Sequence, residues 1–239
     1  MEITKTEVFG FKHAIHGMRL PMNSGEKSDS YECNCWKCVD GVCPYNNSCY
    51  ELKDIKVLEK YIIGKEDMRL AQSLLKSGSE HAKFMRHIIV SADWNMPRYW
   101  WSEGDTYKFI EKNSESTMHR LLNNNREITL DLFEHCDEDK VYLKSVIDRL
   151  EEMRKEYKTI QKTTKNKDEM NHLLLRAKRL LPEGFLQCRA ITTNYSEIRN
   201  MWLQRVKTPH RLKEEWIDVF GSWVDTLPYA NELIKYTGE

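Results

Sequence analysis

The sequence predicts an α+β protein in which helix outweighs strand. Apolar residues recur at helical spacing in five segments: 65–77, 139–160, 168–181, 196–206 and 212–226. Two apolar, β-branched runs, 84–92 and 186–193, predict buried strands. Since no internal repeat or low-complexity linker divides the chain, we expect one domain over residues 1–239, with a cysteine-rich insertion at 31–50.

The boundaries of these elements follow from local signals. Residues 1–30 are mixed in pattern, and 55–63 form a short amphipathic stretch. Gly78 stops the helix over 65–77, and Pro182 ends the helix over 168–181. The asparagines at 123–125 predict a loop, and the polar segment 163–168 separates the two long helices.

Composition indicates a folded protein rather than a disordered or membrane-spanning one. Hydrophobic residues make up 40% of the chain and charged residues 31%. Lys+Arg and Asp+Glu are both 37, so no net charge attracts nucleic acid. No apolar run approaches the roughly 20 residues of a membrane span, and the N-terminal residues lack the apolar core of a secretory signal. We therefore expect a cytoplasmic protein with neither a membrane nor a nucleic-acid partner.

Five of the seven cysteines lie close together in the sequence: Cys33, Cys35, Cys38, Cys43 and Cys49. Because no secretory signal precedes them, a disulfide framework is not expected. Thiolates at this spacing can enclose a tetrahedral zinc ion, which makes the five residues candidate metal ligands. Zinc ribbons usually pair two Cys-x2-Cys knuckles, and only one such knuckle occurs here, so an exposed loop with reduced thiols is the alternative.

Residues 96–120 combine adjacent aromatic rings with many charged and polar groups. Tyr99, Trp100 and Trp101 are consecutive, and Tyr107 follows. Aromatic faces beside hydrogen-bonding groups can stack a planar ring and read its edges. Neighbouring residues on a helix point to different faces, so at most two of these rings can share one ligand, and core packing is the alternative for the rest.

This stretch resembles the signature of the flavin-dependent thymidylate synthases, R-H-R-x2-S-x-N-E-x-S-x-R-Y. The signature Asn and second Ser correspond to Asn113 and Ser116. The Arg-His-Arg triplet falls on Thr106-Tyr107-Lys108, so only one of its cations remains. An upstream Gln of the family falls on Glu103, and the last Arg falls on Met118.

A second part of the resemblance lies nearer the C-terminus. The family pattern R-x3-P, followed by N-x5-N-x4-R, corresponds to Lys178, Pro182, Asn194, Asn200 and Arg205. A flavin-contacting His of the family corresponds to His81. The resemblance implies that family's fold, a curved antiparallel sheet flanked by helices, in a divergent branch that is often found in phages.

The resemblance also implies an activity and a division of roles. The family uses FAD and NADPH to transfer the methylene group of methylene-tetrahydrofolate to C5 of dUMP, and it works as a homotetramer. Arg205 would then be the catalytic residue, polarising the uracil ring while binding the nucleotide. The remaining nucleotide contacts would come from Glu103, Ser116 and Lys178. The flavin contacts would come from His81, Tyr107, Lys108, Asn113, Asn194 and Asn200.

Each of these residues also has a purely structural interpretation. Arg205 could satisfy helix-end carbonyls or join a surface ion pair, Ser116 could cap a helix, and Lys178 could belong to a solvated helix face. Glu103 could pair with a neighbouring cation, or it could favour cytosine over uracil, because a carboxylate accepts from an extra ring donor.

The departures at the signature triplet leave two alternatives to thymidylate synthesis. One is C5 hydroxymethylation, in which water traps the transferred carbon before it is reduced. The other is a non-catalytic module that binds a nucleotide or a protein and uses the cysteine cluster as a zinc knuckle.

Overall fold

The computed structural model describes residues 1–33, 55–57 and 61–238, without the side chains of 55–57 and of His119. It confirms the α+β class. The strands are β1 Glu2–Phe9, β2 Tyr31–Glu32, β3 Ile55–Val57, β4 Tyr61–Ile62, β5 Ile89–Pro97, β6 Glu111–Ser114 and β7 Leu186–Asn194. One sheet has the order β3-β1-β5-β7-β6, with β3 parallel to β1, and β2 pairs antiparallel with β4.

The α-helices are α1 Phe11–Arg19, α2 Lys65–Lys76, α3 Arg98–Gly104, α4 Thr117–Arg120, α5 Lys140–Lys162, α6 Lys167–Leu180, α7 Tyr195–Trp202 and α8 Ser222–Asp225. Three segments are π-helical: Leu203–Lys207, Glu214–Gly221 and Ala230–Ile234. Short 3-10 turns occupy Leu20–Met22, Gly25–Lys27, Lys83–His87, Leu130–Leu132 and Asp137–Asp139. In the part of the chain that the structure describes, no helix combines the length and apolarity needed to cross a membrane.

Local sequence patterns predicted the long helices well and the short elements less well. The bounds of α2, α5 and α6 lie within two residues of the predicted segments. The predicted strand over 84–92 begins only at Ile89. Phe84 and Met85 lie before it in a 3-10 turn, and both side chains are buried. In a strand, two consecutive side chains would point to opposite faces of the sheet. The predicted helices over 196–206 and 212–226 each combine an α-helical and a π-helical part.

The described residues divide into two compact units, and the first comprises Met1, Asn95–Thr106 and Asn113–Arg189. Its core packs α5 against α6 through buried aliphatic side chains that include Leu150, Leu174 and Ala177. Asn166 begins α6 by accepting hydrogen bonds from the amides of the first turn. The expectation of one domain over residues 1–239 stays a prediction.

The second unit comprises Glu2–Trp94, Tyr107–Lys112 and Ala190–Glu239, and its core is aromatic. Trp94 meets Phe220 and Trp223 edge to face, with ring centroids 5.8 and 5.3 Å away. Gly10 precedes α1 with φ +100°, and a Cβ there would lie 2.0 Å from the carbonyl oxygen of His87. Only glycine therefore fits this approach.

Candidate functional site

The predicted catalytic residue, Arg205, lies half-buried in the π-helix Leu203–Lys207, directly after α7. Its Nε donates a hydrogen bond of 2.9 Å to the hydroxyl of Tyr107. The guanidinium carbon also lies 5.4 Å from the ring centroid of the buried Trp216. A cation over an aromatic face is attracted by the ring quadrupole, so both contacts orient the guanidinium.

His210 flanks the same guanidinium. Nη1 of Arg205 lies 2.8 Å from Nε2 of His210, and the backbone amide of Leu212 donates to Nδ1 of the ring over 3.2 Å. A neutral imidazole accepts at one nitrogen only. The two hydrogen bonds are therefore alternatives: His210 accepts from Arg205 when its proton is on Nδ1, and from the Leu212 amide when its proton is on Nε2.

Tyr107 connects Arg205 with Asn200, another residue that the family pattern matched. Tyr107 is buried, and its hydroxyl donates to Oε1 of Gln204 over 3.2 Å. Nε2 of Gln204 donates to Oδ1 of Asn200 over 2.8 Å. The structure thus brings three of the predicted site residues, Tyr107, Asn200 and Arg205, into one hydrogen-bonded group.

A cleft of about 460 Å³ opens beside the start of α7 in the second unit. Asn194 caps this helix, since its Oδ1 accepts from the amide of Glu197 over 3.0 Å. The volume falls within the range of small-molecule pockets. The lining residues are Leu75, Gly78, Ser79, Ala82, Met85, Arg86, Phe109, Asn194, Ser196, Glu197, Arg199, Asn200 and Leu203.

Glu197 is an unusual member of this lining because its carboxylate is buried. It is 7% exposed, and no cationic side chain within residues 1–33 and 61–238 forms an ion pair with it. Burial raises the pKa of the Glu197 carboxyl, and a hydrogen bond from the Asn200 side chain opposes that rise. Arg199 does not compensate the charge, since it donates to the carbonyls of Leu233 and Ile234.

The two other flavin candidates of the second unit, His81 and Lys108, are exposed. His81 lies in the turn after α2, and Gly78, Ser79 and Ala82 on either side of it line the cleft. Lys108 lies next to Phe109, which also lines the cleft. The cleft therefore contains Asn194 and Asn200 from one match to the family pattern, and His81, from a separate match, lies between residues that line it.

The other matched residues lie in the first unit. Ser116 is half-buried and, with Arg120 and Arg126, lines a groove at the start of α4. Asn113 is exposed on β6, Glu103 is half-buried on α3, and Lys178 is half-buried in the last turn of α6.

Two rings of the aromatic motif, those of Trp100 and Trp101, lie in the core. Trp100 and Trp101 are buried, and their rings meet edge to face with centroids 5.0 Å apart. The guanidinium of Arg189 covers the Trp101 ring at 4.1 Å, and the indole N–H of Trp101 donates to the carbonyl of Gln187. For these two residues the core alternative is therefore correct.

Of the candidate zinc ligands only Cys33 is described, as a half-buried free thiol. Cys35, Cys38, Cys43 and Cys49 lie outside the described residues, so the zinc site stays a prediction. Within residues 1–33 and 61–238 no other group of His, Cys, Asp and Glu side chains is arranged to hold a metal ion.

Comparison with known proteins identifies the fold. No protein-family model and no curated protein sequence matches the chain. Two crystal structures of flavin-dependent thymidylate synthase ThyX from Helicobacter pylori, both with FAD and dUMP, do match, each with a TM-score of 0.63. The chain has the ThyX fold. The alignments cover 98% of this chain and 97% of each ThyX chain, at 16% and 17% identity.

The likeness to ThyX extends over the whole chain, so the fold implied by the two sequence patterns is confirmed. Sequence reasoning missed three polar residues of the second unit, Glu197, Gln204 and His210. Helical spacing places Glu197 and Gln204 on either side of Asn200, one turn away in each direction. That spacing is the sequence signal by which Glu197 and Gln204 could have been found. No such signal exists for His210, which lies beyond the end of the helical segment that contains Arg205.

Proposed function

We propose that the protein is a flavin-dependent enzyme that transfers the one-carbon unit of methylene-tetrahydrofolate to C5 of dUMP, forming dTMP. The observation that carries the proposal is the setting of Arg205. The residue that matches the family's substrate-polarising Arg is held by Tyr107 and Trp216, in a chain whose fold matches ThyX structures with FAD and dUMP.

Arg205 would stabilise the charge that develops on the uracil ring during carbon transfer. A guanidinium held in place before the reaction stabilises that charge without first having to reorganise. The Tyr107 hydroxyl fixes one edge of the guanidinium and Trp216 lies against it, so the cation is oriented in advance. No cysteine nucleophile is required in this scheme.

FAD fits the residues that line the cleft of the second unit. The amides of Asn194 and Asn200 offer both donors and acceptors, Phe109 offers an exposed aromatic face, and Arg86 offers an exposed cation for a phosphate. When bound, the flavin would supply reducing equivalents, which NADPH would renew. We further propose that His81, Tyr107 and Lys108 contribute to holding it.

Ser116 and Lys178 are proposed to bind the nucleotide, and Asn113 is proposed to bind the flavin. Ser116 shares its groove with two arginines, and cations beside a hydroxyl suit a phosphate. Lys178 can hold a phosphate only as a point charge, because it lacks the fork of an arginine. Glu103 is proposed to contact the pyrimidine edge, which makes dCMP a second substrate to test. By the same resemblance we propose a cytoplasmic homotetramer.

Binding and turnover of the full-length protein test the proposal. We expect a yellow protein with a flavin absorbance spectrum whose melting temperature rises with FAD and with dUMP. With NADPH and methylene-tetrahydrofolate, mass spectrometry should detect dTMP formed from dUMP. If neither FAD nor dUMP at saturating concentration raises the melting temperature, the proposal is wrong.

One sequence observation favours a second candidate, a nucleotide-binding module without turnover. Thr106-Tyr107-Lys108 falls on the family's Arg-His-Arg, and the Tyr107 hydroxyl accepts a hydrogen bond from Arg205. Binding of dUMP without any product would support this module. A product heavier than dTMP by one oxygen would instead indicate C5 hydroxymethylation.

A further inference from the structure

Four side chains of the second unit, Arg205, Tyr107, Gln204 and Asn200, form one series of hydrogen bonds. Nε of Arg205 donates to the Tyr107 hydroxyl (2.9 Å), which donates to Oε1 of Gln204 (3.2 Å). Nε2 of Gln204 donates to Oδ1 of Asn200 (2.8 Å).

The cation at one end sets the direction of this series. A guanidinium has only donors, so the Tyr107 hydroxyl accepts from Arg205. The hydroxyl donates its own hydrogen to Oε1 of Gln204, which leaves Nε2 of Gln204 to donate to Asn200. In such a series each hydrogen bond polarises the next.

We infer that Gln204 is a positioning residue, which acts through Tyr107 to hold Arg205 in its binding orientation. The part played in nucleotide binding rests on the proposed function. Gln204 closes the gap between Asn200 and Tyr107. It occupies no position of the family pattern that the sequence matched.

The exposure of Gln204 supports this role. Because its side chain is exposed, the fold has no need of it for packing. It nevertheless makes two hydrogen bonds, to the Tyr107 hydroxyl and to Asn200. These bonds serve orientation.

The test uses Gln204→Met, which keeps the length of the side chain and removes both hydrogen bonds. Gln72→Met is the matched control, because Gln72 lies in the same unit and outside the series. Arginine Nε–H groups are observed by ¹⁵N–¹H NMR on the ligand-free protein, with the Arg205 resonance assigned by its loss in Arg205→Lys. We expect Gln204→Met to speed hydrogen exchange at this group about tenfold, and Gln72→Met to leave the rate unchanged.

In parallel, calorimetry should find the Kd for dUMP raised about three- to tenfold in Gln204→Met. An Arg205 exchange rate in Gln204→Met equal to that of the unsubstituted protein would overturn the inference. Failure of the unsubstituted protein to bind dUMP would instead reject the proposed function, while the exchange rates still decide whether the series positions Arg205.

Discussion

The Nε–H of Arg205 donates to the hydroxyl of Tyr107 over 2.9 Å, although 98 positions separate the two residues in the sequence. Tyr107 falls on the His of the Arg-His-Arg triplet in the predicted match to the family signature. A position that this match marks as altered therefore contacts the predicted catalytic residue.

Replacing Arg205 with alanine should weaken nucleotide binding, reduce turnover and leave the fold intact. The residue is half-buried and its guanidinium is the proposed contact to the uracil ring. We expect turnover to fall at least about 100-fold, as when one preorganised donor is removed from an active site. The melting temperature should change by less than about 3 °C. Arg149→Ala, which removes an exposed arginine of α5, is the control and should retain full activity.

Tyr107→Phe should weaken dUMP binding without unfolding the protein. The change keeps the buried ring but removes the hydroxyl that accepts from Arg205 and donates to Gln204. Hydrogen bonds that involve a charged group contribute roughly 1.5–3 kcal/mol, so we expect the Kd to rise at least about tenfold. Tyr142→Phe, at a position that is 76% exposed, should change nothing. Equal affinities for the two variants would exclude Tyr107 from the site.

Asp67→Ala should destabilise the second unit more than any exposed substitution on the same helix. Asp67 is fully buried and accepts from the Arg19 guanidinium, from the Ser28 hydroxyl and from the Ser30 amide and hydroxyl. Removing one partner of a buried ion pair leaves an uncompensated charge and costs roughly 3–5 kcal/mol.

Urea unfolding measures that loss, with Glu66→Ala as the control. Glu66 is the neighbouring residue on α2, and its ion pair with Arg69 is exposed. Such pairs contribute about 0–1 kcal/mol. If both variants unfold at the same urea concentration, the buried pair contributes no more than a surface pair does.

Glu197→Gln should stabilise the protein increasingly as pH rises. Burial raises the pKa of Glu197 in the folded state, so the folded state holds this proton more tightly than the unfolded state does. The resulting stabilisation is fully present below the unfolded pKa and is lost as pH rises through the folded pKa. Glutamine is neutral at every pH. The melting temperature of the variant should therefore rise relative to that of the unsubstituted protein as the pH increases from about 4 to 8. A difference that stays constant with pH would contradict the assignment.

Glu151→Gln should have the opposite pH dependence in the first unit. The hydrogen bond from Arg154 lowers the pKa of Glu151, assisted by the amide of Ile128. This carboxylate therefore stabilises the fold above its unfolded pKa, and the contribution disappears as pH falls through the lower, folded pKa. At neutral pH the variant should have a lower melting temperature than the unsubstituted protein. Calorimetry should find that the difference between the two melting temperatures shrinks towards about pH 3.

Short-range patterns in the sequence accounted for the long helices and for part of the site. The spacing of Asn194, Asn200 and Arg205 is local, since all three lie along one continuous helical segment with Asn194 as its cap. Residues that are neighbours on one helix can be identified from the sequence, because their spacing follows the 3.6-residue period of the helix. Among the elements that were missed or misplaced, β1, α1 and the turn at Lys83–His87 are short, and their burial depends on partners far away in the chain.

The sequence by itself determined the α+β class, the bounds of α2, α5 and α6, and the residues that match a family pattern. Tertiary structure alone decided that Trp100 and Trp101 are covered in the core while Tyr107 turns its hydroxyl to Arg205. It also decided that Glu197 is buried beside Asn200. The physical reason is that a contact across 98 residues leaves no periodic signal, because it depends on how whole elements pack rather than on the order of residues within one.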